Sequence, residues 1–320
     1  MYRIGIDVGG TFTDVTLLNV DTGKYYNYKL SSTPHDQSVA IADGARSIMQ
    51  ECHVAPEEIA YFGHGTTVAT NMIIERKGAK TALITTKGFK DILEIARQVR
   101  PSLYNTQADK PEALIRRSLR KEVSERICSD GSVHISLNKD EVKEVLKDLK
   151  RQGVESIAVC FLFSYLNNCH EKEVEECIKE IWPDVYYSVS STILPEFREF
   201  ERLSTTVINS YLGPKMKQYI DNLRERIKCE GIAVEPYITQ SNGGVMSISS
   251  TVQTPVQTAL SGPSAGVVGA IYVCNAAGYR DLITYDMGGT STDVSLVLNG
   301  VPEYTTKRKV CGLPSGIPMI

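Results

Sequence analysis

The sequence predicts a mixed α/β fold that comprises more than one domain. Three observations support this prediction: the chain length, an alternation of strand-like and helix-like segments, and a motif that occurs twice. With 320 residues the chain is too long for one small core. Runs rich in β-branched and aromatic residues alternate with segments of helical period, which is typical of α/β proteins.

The first 30 residues predict three short strands, over 2–8, 12–20 and 24–30, because β-branched and aromatic residues fill them. A helix follows, with apolar residues on one face from Ser38 to Met49. The next predicted elements are, in order, a strand at 59–63, a helix at 68–76 and a strand at 81–85. Strands and helices therefore alternate from residue 38 onwards.

From Arg97 to about Ser136 the periodicity is weak, which predicts an insertion or a long functional loop. The alternation then resumes, with a helix at 139–152, a strand at 156–163, a helix at 171–181 and a strand at 185–189. Residues 195–228 predict long helical structure in which Pro214 starts a new helix. The last predicted elements are a strand at 235–240, a helix at 264–277 and a hairpin of strands 282–286 and 292–298.

The composition is that of an ordinary soluble globular protein, with a formal net charge of -3, and it indicates no nucleic-acid partner. The eight cysteines show no Cys-x-x-Cys pair or zinc-ligand spacing, which predicts buried, reduced thiols. Met1 leads directly into a strand without a signal-peptide pattern, and no apolar run approaches the roughly 20 residues that span a bilayer. We therefore expect a cytoplasmic protein without a membrane partner.

The motif Asp-x-Gly-Gly-Thr-x-Thr-Asp occurs at residues 7–14 and again at 286–293, an offset of 286 − 7 = 279 residues. A glycine pair between two strands is by itself an ordinary hairpin turn. Folding does not require two hairpins with aspartates and threonines at the same offsets. The repetition therefore indicates a function.

Phosphate binding explains these residue types. Glycines let consecutive backbone N–H groups approach phosphate oxygens, and threonines add donors. We expect Asp7 and Asp286 to orient water on a Mg²⁺ ion that bridges phosphates, and so to act in catalysis. The residues expected to bind phosphate oxygens are Gly9, Gly10, Thr11, Thr13, Gly288, Gly289, Thr290 and Thr292. Asp14 and Asp293 have two interpretations: they belong to the phosphate site, or they tie the returning strand to the turn.

His64 lies between two glycines at the end of a predicted strand, where a side chain can point into a cleft. The near-neutral pKa of histidine suits acid–base catalysis. The alternative is a structural histidine that hydrogen-bonds the adjacent turn, with Thr66 or Thr67 capping the next helix. The remaining histidines lie in polar stretches and are predicted at the surface: His35, His53, His134 and His170.

Two further sets of residues are candidate site residues. Arg97 and Arg100 precede the irregular segment, and they either reach an anion or pair with nearby carboxylates. Ser264 stands between Gly262 and Gly266, which formally matches the Gly-x-Ser-x-Gly elbow of hydrolases. No strand leads into that serine, so we predict a tight helix start there instead.

The paired hairpins resemble the two phosphate motifs of the actin, heat-shock chaperone and sugar-kinase ATPase superfamily. Five segments more narrowly resemble the hydantoinase A family, which includes ATP-dependent hydantoinases, 5-oxoprolinases and subunits of acetone-type carboxylases: residues 63–71, 80–89, 94–98, 201–207 and 261–266. The resemblance implies a mixed-sheet, RNase H-like lobe of the actin type. It also implies an incomplete second lobe, because the glycine-rich adenosine loop of the family would follow Ile320.

The resemblance implies a division of the chain into two family regions. Residues 1–190 would form the N-terminal region, which is the first lobe with an insertion at 97–136. Residues 191–320 would begin the main region, which closes the first lobe by about residue 279 and then supplies the second phosphate hairpin.

The resemblance further implies that the chain is part of an ATP-dependent hydrolase that opens a cyclic amide. In that reaction the γ-phosphoryl group of ATP passes to the amide oxygen, and water attacks the resulting imidate-type ester. The implied cofactors are ATP and Mg²⁺, and the implied partner is a hydantoinase B-type subunit or domain. The oligomeric state is open, a homo-oligomer included. The alternatives are an acetone-type carboxylase subunit, a non-catalytic actin-like ATPase module and a small-molecule kinase.

Overall fold

The computed structural model describes residues 1–33, 35–287, 292–307 and 309–320. The chain forms two compact units that do not follow sequence order. The first unit contains Met1–Asn71, Met216–Thr306 and Pro318–Ile320, and the second contains Met72–Lys215 and Lys307–Ile317. Neither unit has a boundary at residue 190, so the predicted family regions and the compact units are different divisions of the chain.

The described strands are β1 (Tyr2–Val8), β2 (Phe12–Asn19), β3 (Tyr25–Ser31), β4 (Ile59–Thr66), β5 (Thr81–Thr86), β6 (Arg120–Val123), β7 (Arg126–Ile127), β8 (Val133–Ile135), β9 (Ser156–Cys160), β10 (Tyr186–Val189), β11 (Tyr237–Thr239), β12 (Val245–Ser247), β13 (Leu282–Met287), β14 (Thr292–Leu298), β15 (Val301–Pro302), β16 (Lys309–Val310) and β17 (Leu313–Pro314). The described α-helices are α1 (Gln37–Glu51), α2 (Val68–Ile74), α3 (Ile92–Ile95), α4 (Lys139–Arg151), α5 (Cys169–Ile181), α6 (Ser190–Ile193), α7 (Glu199–Cys229), α8 (Ile248–Gln253) and α9 (Ser261–Ala276).

The first unit contains a mixed sheet with the strand order β12-β11-β4-β1-β2-β3. The strands β1, β2 and β3 form an antiparallel meander, whereas β4 runs parallel to β1. Helix α1 packs on β1, β2 and β3, where alternate apolar residues such as Ile4 and Leu17 are buried. A smaller sheet of order β13-β14-β15 also belongs to this unit.

The second unit is organised around a parallel sheet of order β10-β9-β5-β6. Every residue of β5 and of β9 is buried, as expected for strands covered on both faces. The charged helix α4 buries Val142, Leu146 and Leu149, and the Asn138 side chain caps it by accepting from the Glu141 N–H at 3.1 Å. The predicted mixed α/β fold is confirmed.

The predicted irregular segment at 97–136 is only partly irregular. No helix or strand is described between Val99 and Arg116, but β6 pairs with β5, and β7 pairs with β8. Strand β6 escaped prediction because its buried positions, Arg120 and Val123, bracket two charged residues. A buried arginine conceals the apolar periodicity on which the prediction relied.

The predicted helix break at Pro214 is wrong, because α7 is continuous through it. Proline removes the N–H group that would bond to the carbonyl of Ser210, which weakens the helix locally. Tyr211, Leu212 and Met216 are all buried around this point. Tertiary packing on both sides of the proline therefore holds the helix together.

All eight cysteines are free, as predicted, but only Cys160 and Cys177 are buried. Among the described residues, no helix has both the length and the apolar character needed to cross a membrane.

Candidate functional site

The two motif hairpins have the same strand register. Asp7 lies opposite Asp14 across β1 and β2, and Asp286 lies opposite Asp293 across β13 and β14. Both hairpins belong to the first unit. The repeated sequence is therefore also a repeated backbone geometry. Residues 288–291 of the second motif lie outside the described part of the chain, so the predicted role of three of them stays a prediction: Gly288, Gly289 and Thr290.

Asp7 is electrostatically coupled to both hairpins. Its residue surface is exposed to solvent, but many protein atoms lie close enough to its carboxylate to desolvate it in part. Partial burial raises the pKa of Asp7, and the negative charges of Asp14 and Asp286 raise that pKa further, against a hydrogen bond from the Val8 N–H that lowers it. The site thus concentrates negative charge from both motif copies, which a cation would relieve.

The described residues contain no group of three or more His, Cys, Asp and Glu side chains with metal-holding geometry. A cation at the motif aspartates would therefore have to be bound mainly through water or through a ligand.

The turn between β1 and β2 has its carbonyl groups held by the protein. Val8 O accepts from Thr67 Oγ1 at 3.2 Å, Gly9 O accepts from Ser32 Oγ at 2.8 Å, and Thr11 O accepts from the Ser32 N–H at 2.9 Å. In the described part of the chain, neither the Gly10 N–H nor the Thr11 N–H donates to a protein acceptor. The turn therefore offers backbone donors to an anion while the carbonyls of Val8, Gly9 and Thr11 accept from the protein.

Thr13 contacts this turn indirectly, through the hydroxyl of Ser32. Its side chain is buried, and its hydroxyl lies 3.0 Å from the hydroxyl of Ser32, which in turn holds Gly9. Thr13 therefore braces the turn, and a direct contact between its hydroxyl and a ligand is not available in this arrangement. Thr292 of the second hairpin is exposed instead.

Asp14 pairs with Lys29 of β3 at 2.9 Å, and both side chains are exposed. This contact ties the returning strand to its neighbour, which is one of the two interpretations drawn from the sequence. Asp14 also raises the pKa of Asp7, so it belongs to the electrostatics of the site as well. Asp293 is exposed at the equivalent position of the second hairpin.

Gly65 leaves room for the Asp7 carboxylate. The two residues are register partners in the parallel pair β1 and β4, and a Cβ atom at position 65 would lie 3.1 Å from Asp7 Oδ1. A larger residue at position 65 would crowd the Asp7 carboxylate, which explains why a glycine follows His64.

The prediction that His64 faces a cleft is wrong. Strand β4 continues to Thr66, so His64 lies inside the strand, and its side chain is buried. Its Nε2 lies 2.5 Å from the Tyr219 hydroxyl, and its Nδ1 lies 3.3 Å from Ile6 O. A carbonyl can only accept, so Nδ1 carries the proton and Nε2 accepts from Tyr219. Burial lowers the pKa of His64 to about 4, so the ring is neutral at physiological pH.

The sequence analysis missed a buried ionisable pair in the second unit. His170, predicted at the surface, is buried, and its Nδ1 lies 2.8 Å from Glu125 Oε2. The other oxygen of Glu125 accepts from the Thr86 hydroxyl. The three residues are far apart in sequence and lie in different elements or loops, so no local pattern could have brought them together.

Two of the three remaining candidates, Arg97 and Ser264, have structural roles. Arg97 forms a bidentate ion pair with Glu201, with N–O distances of 2.9 and 2.6 Å, which fits the interpretation that it pairs with a carboxylate. Arg100 is exposed. Ser264 is buried in α9, and its hydroxyl donates to Ser241 O at 2.6 Å, so the predicted helix start is confirmed and the hydrolase elbow is excluded.

Two family models match this chain. The family model described as the hydantoinase/oxoprolinase N-terminal region matches residues 3–182, and the one described as hydantoinase/oxoprolinase matches residues 202–320. The chain belongs to the hydantoinase/oxoprolinase family. The family named from the sequence is confirmed.

Two relatives illustrate the range within this family. The chain is 34% identical to the caprolactamase subunit alpha of Pseudomonas jessenii over 100% of this chain and 47% of the relative. It is also 34% identical to 5-oxoprolinase 1 of Arabidopsis thaliana, over 97% of this chain and 26% of that protein. The chain therefore spans about half or less of the length of these relatives.

Solved structures give the same result. The crystal structure of the ATP-dependent caprolactamase from Pseudomonas jessenii matches with a TM-score of 0.90 and 31% identity, over 99% of this chain and 47% of the other. The nucleotide-free structure of acetone carboxylase matches with a TM-score of 0.87 and 26% identity, over 99% of this chain and 46% of the other. The chain thus shares its mixed α/β fold with both a caprolactamase and an acetone carboxylase.

Proposed function

We propose that this chain supplies the phosphate-binding part of an ATP-dependent hydrolase that opens a cyclic amide such as a hydantoin, 5-oxoproline or a related lactam. The observation that carries the proposal is the identical strand register of the two motif hairpins, which lie in one compact unit. The charge of Asp286 also contributes to the raised pKa of Asp7. The family membership and the relatives named as caprolactamase and 5-oxoprolinase support the reaction class.

ATP and Mg²⁺ fit the residues of the first hairpin. The unengaged N–H groups of Gly10 and Thr11 would donate to phosphate oxygens, as N–H groups do in phosphate-binding turns. Asp7 and Asp286 would orient water on the Mg²⁺, whose charge offsets the repulsion that raises the pKa of Asp7. By equivalence of sequence, Gly288, Gly289 and Thr290 would hold the phosphates from the second hairpin.

The fold of the first unit supports an RNase H-like assignment of the actin type. Its meander β1-β2-β3 is followed by parallel strands β4 and β11, and the first phosphate turn connects β1 to β2. We infer that β13 and β14 are the corresponding first hairpin of a second lobe.

In the proposed reaction, ATP supplies the phosphoryl group that converts the amide oxygen into a leaving group. The bond between the γ-phosphorus and the terminal oxygen of ADP would break as a bond from that phosphorus to the amide oxygen forms. One water would then add to the amide carbon, and the ring C–N bond would break with a proton passing to the nitrogen, which leaves an acyl phosphate. A second water would hydrolyse the acyl phosphate to a carboxylate and phosphate. The backbone N–H groups of this chain would donate to the phosphate oxygens, and Mg²⁺ would offset the negative charge that develops during the transfer. His64 is assigned no acid–base role; it positions β1 through the carbonyl of Ile6.

We propose that ring opening requires a partner of the hydantoinase B type, because the relatives include a protein named as a subunit. The free cysteines agree with a reducing cytoplasm, where we place the enzyme.

A carboxylase subunit is the second candidate, favoured by the likeness to ATP-dependent acetone carboxylase. The complete polypeptide and its partner subunit should be assayed for phosphate release with 5-oxoproline, hydantoin or caprolactam. Release of ADP and ring-opened product in equal amounts supports the proposal. Phosphate release that requires a ketone and bicarbonate favours the carboxylase. A stable phosphorylated product without ring opening favours a kinase, and phosphate release without any small substrate favours a non-catalytic ATPase module.

A further inference from the structure

Phe12 occupies the position at which the two motif copies differ in chemical class. Six of the eight positions are identical, and at a seventh Val8 corresponds to Met287, which is also apolar. At the remaining position the first copy has Phe12 and the second has Ser291. The residue types that explain phosphate binding are thus shared by both copies, whereas the phenyl ring belongs to the first copy alone. Phosphate binding does not account for that ring.

The Phe12 side chain lies on the sheet face that carries Asp7 and Asp14. Alternate residues of a strand point to the same face, and Phe12 and Asp14 are two residues apart in β2. Asp14 is in turn the register partner of Asp7. Phe12 also closes the phosphate turn, because its carbonyl accepts from the Gly9 N–H at 2.9 Å. The ring therefore projects from the residue next to Thr11, on the charged face of the site.

The ring is held from one side and is open on the other. Lys29 Nζ lies over the ring, 5.1 Å from its centroid, and the same Nζ donates to both carboxylate oxygens of Asp14, at 2.9 and 3.1 Å. Among the described residues no second cation or aromatic ring stacks on Phe12, which is 48% exposed. One face of a positioned phenyl ring is thus available to a ligand.

Exposure of a single phenylalanine indicates nothing by itself, because folded proteins expose many apolar atoms. Tyr25 of β3 shows the contrast. It is 65% exposed and lies on the same face of the meander, but it stands 31 − 25 = 6 residues from Ser31, the register partner of Phe12. At about 3.3 Å per residue this separation is roughly 20 Å. Phe12 is distinguished by its place beside the phosphate turn, and Tyr25 provides a matched control.

We propose that Phe12 is a specificity-determining residue of the proposed hydrolase. The free face of its ring forms the apolar wall against which the ring of the cyclic amide lies, while the amide oxygen faces the γ-phosphate. This inference rests on the proposed function and names a part of its substrate site. Ligand sites combine apolar surface with a few placed polar groups. In the first hairpin the polar groups are assigned to Mg²⁺ and the phosphates, so the phenyl ring is left for the carbon atoms of the substrate.

The test compares Phe12→Ala with Tyr25→Ala in the complete polypeptide with its partner subunit. Caprolactam, 5-oxoproline and hydantoin are the probes, and phosphate release at saturating Mg²⁺ and ATP gives KM and kcat for each. Phe12→Ala should raise the KM for caprolactam, which is rich in methylene groups, about tenfold, and the KM for hydantoin about threefold or less. The KM for ATP should not change, and Tyr25→Ala should behave as the parent does. If only one probe is turned over, the comparison of the two variants with that probe is the test.

A binding measurement separates contact with the substrate from a structural role. In the presence of Mg²⁺ and a non-hydrolysable ATP analogue, equilibrium dialysis should show the same loss of lactam affinity in Phe12→Ala. Phe12→Tyr keeps the ring and should bind as the parent does. Phe12→Ala and Tyr25→Ala should have the same midpoint of urea unfolding. If Phe12→Ala fails to fold, Phe12→Leu, which loses only the flat ring, replaces it with an expected loss of about threefold.

Each contrary result has a different meaning. An unchanged KM and affinity for the lactam in Phe12→Ala overturn this inference alone, and the proposed function stands. A raised KM for ATP with an unchanged KM for the lactam places the ring against the nucleotide and also overturns the inference. A parent enzyme in which no cyclic amide stimulates phosphate release overturns the proposed function, and this inference with it.

Discussion

The two phosphate hairpins share sequence and register but differ in what covers them. Three pairs of identical apolar residues stand 279 positions apart: Ile4 and Ile283, Val15 and Val294, Leu17 and Leu296. In the first hairpin these side chains are 0%, 1% and 0% exposed, whereas in the second they are 71%, 55% and 43% exposed. The same residue types at the same register positions thus have opposite environments.

The covering helices account for the difference. In the first hairpin α1 packs on the face opposite the motif aspartates, and Gly44 of α1 lies so close to Val15 that a Cβ would come within 2.7 Å of its Cγ2. In the second hairpin the packed face is the one that carries Asp286 and Asp293, where Val267 and Val297 form a small core with Ile320. Local sequence sets the hairpin and its charges, while distant elements decide which face is buried.

The largest expected effect is on ATP hydrolysis, and it tests whether both hairpins contribute to the site. In the complete polypeptide with its partner, Asp7→Asn and Asp286→Asn should each lower substrate-dependent ATP hydrolysis by about 100-fold or more, because each removes a charge that orients the cation. Phosphate release at saturating Mg²⁺ measures the effect. Asp43→Asn, an exposed aspartate of α1, is the control.

Full turnover in both aspartate variants would remove the proposed mechanism, and loss in one alone would restrict it to that hairpin. The fold should persist in each variant. Because the pKa of Asp7 is raised, its ionised form disfavours folding above the ordinary pKa of an aspartate, so Asp7→Asn should not lose stability at pH 7.

The next effect tests the difference in burial. Leu17→Ala should lower the free energy of unfolding by about 2–5 kcal/mol, because it opens a cavity beneath α1. Leu296→Ala, the same change at the equivalent position, should cost less than about 1 kcal/mol since that leucine is 43% exposed. Urea unfolding of this chain compares the two. Equal losses would mean that the two faces are equally covered.

A smaller effect tests the network behind the first hairpin. Tyr219→Phe removes the donor to His64 Nε2 and leaves a buried acceptor unpaired, so it should cost about 1–3 kcal/mol in urea unfolding. Tyr272→Phe, at an exposed tyrosine of α9, should change stability by less than about 0.5 kcal/mol. An equal cost for both variants would show that the His64 contact contributes nothing.

The same network gives a pH dependence. Because burial lowers the pKa of His64 from 6.5 to about 4, its contribution to stability is fully present above pH 6.5 and falls as the pH drops from 6.5 towards 4. Urea unfolding across this range should show a shallower loss in His64→Gln than in the parent chain. Parallel curves would contradict the assignment of a buried, neutral imidazole.

The smallest expected effect is on ATP turnover, and it tests whether Gly65 is needed to leave room for the Asp7 carboxylate. Gly65→Ala places a Cβ 3.1 Å from Asp7 Oδ1 and should lower ATP turnover about tenfold by displacing the carboxylate. Gly5→Ala lies in the same strand as Asp7, and its added Cβ meets nothing within 4 Å, so turnover should be unchanged. Equal activity in the two variants would show that the position of Asp7 tolerates this displacement.

Much of the fold was predictable because it rests on local periodicity. The apolar spacing of Val142, Leu146 and Leu149 gave helix α4 within one residue of its observed end. Strand β6 and the continuity of α7 were not predicted, since each depends on tertiary packing around Arg120 or Pro214.

The sequence predicted which residues form the doubled motif, but it did not predict which way the His64 side chain points. The residues of the doubled motif follow from sequence alone, because the repeat exposes them. The orientation of His64 depended on whether β4 continues past it, because within the strand its side chain lies on a buried face. The coupling of Asp7 to Asp286 and the pairing of Glu125 with His170 are long-range contacts that no local pattern contains.

The most direct test of phosphate binding by both hairpins is a crystal structure of the complete polypeptide with Mg²⁺ and a non-hydrolysable ATP analogue. Our account predicts phosphate oxygens about 3 Å from the N–H groups of Gly10 and Thr11. It also predicts a Mg²⁺ ion whose waters reach both Asp7 and Asp286. A nucleotide bound elsewhere, or phosphates held by one hairpin with the other aspartate turned away, would contradict it.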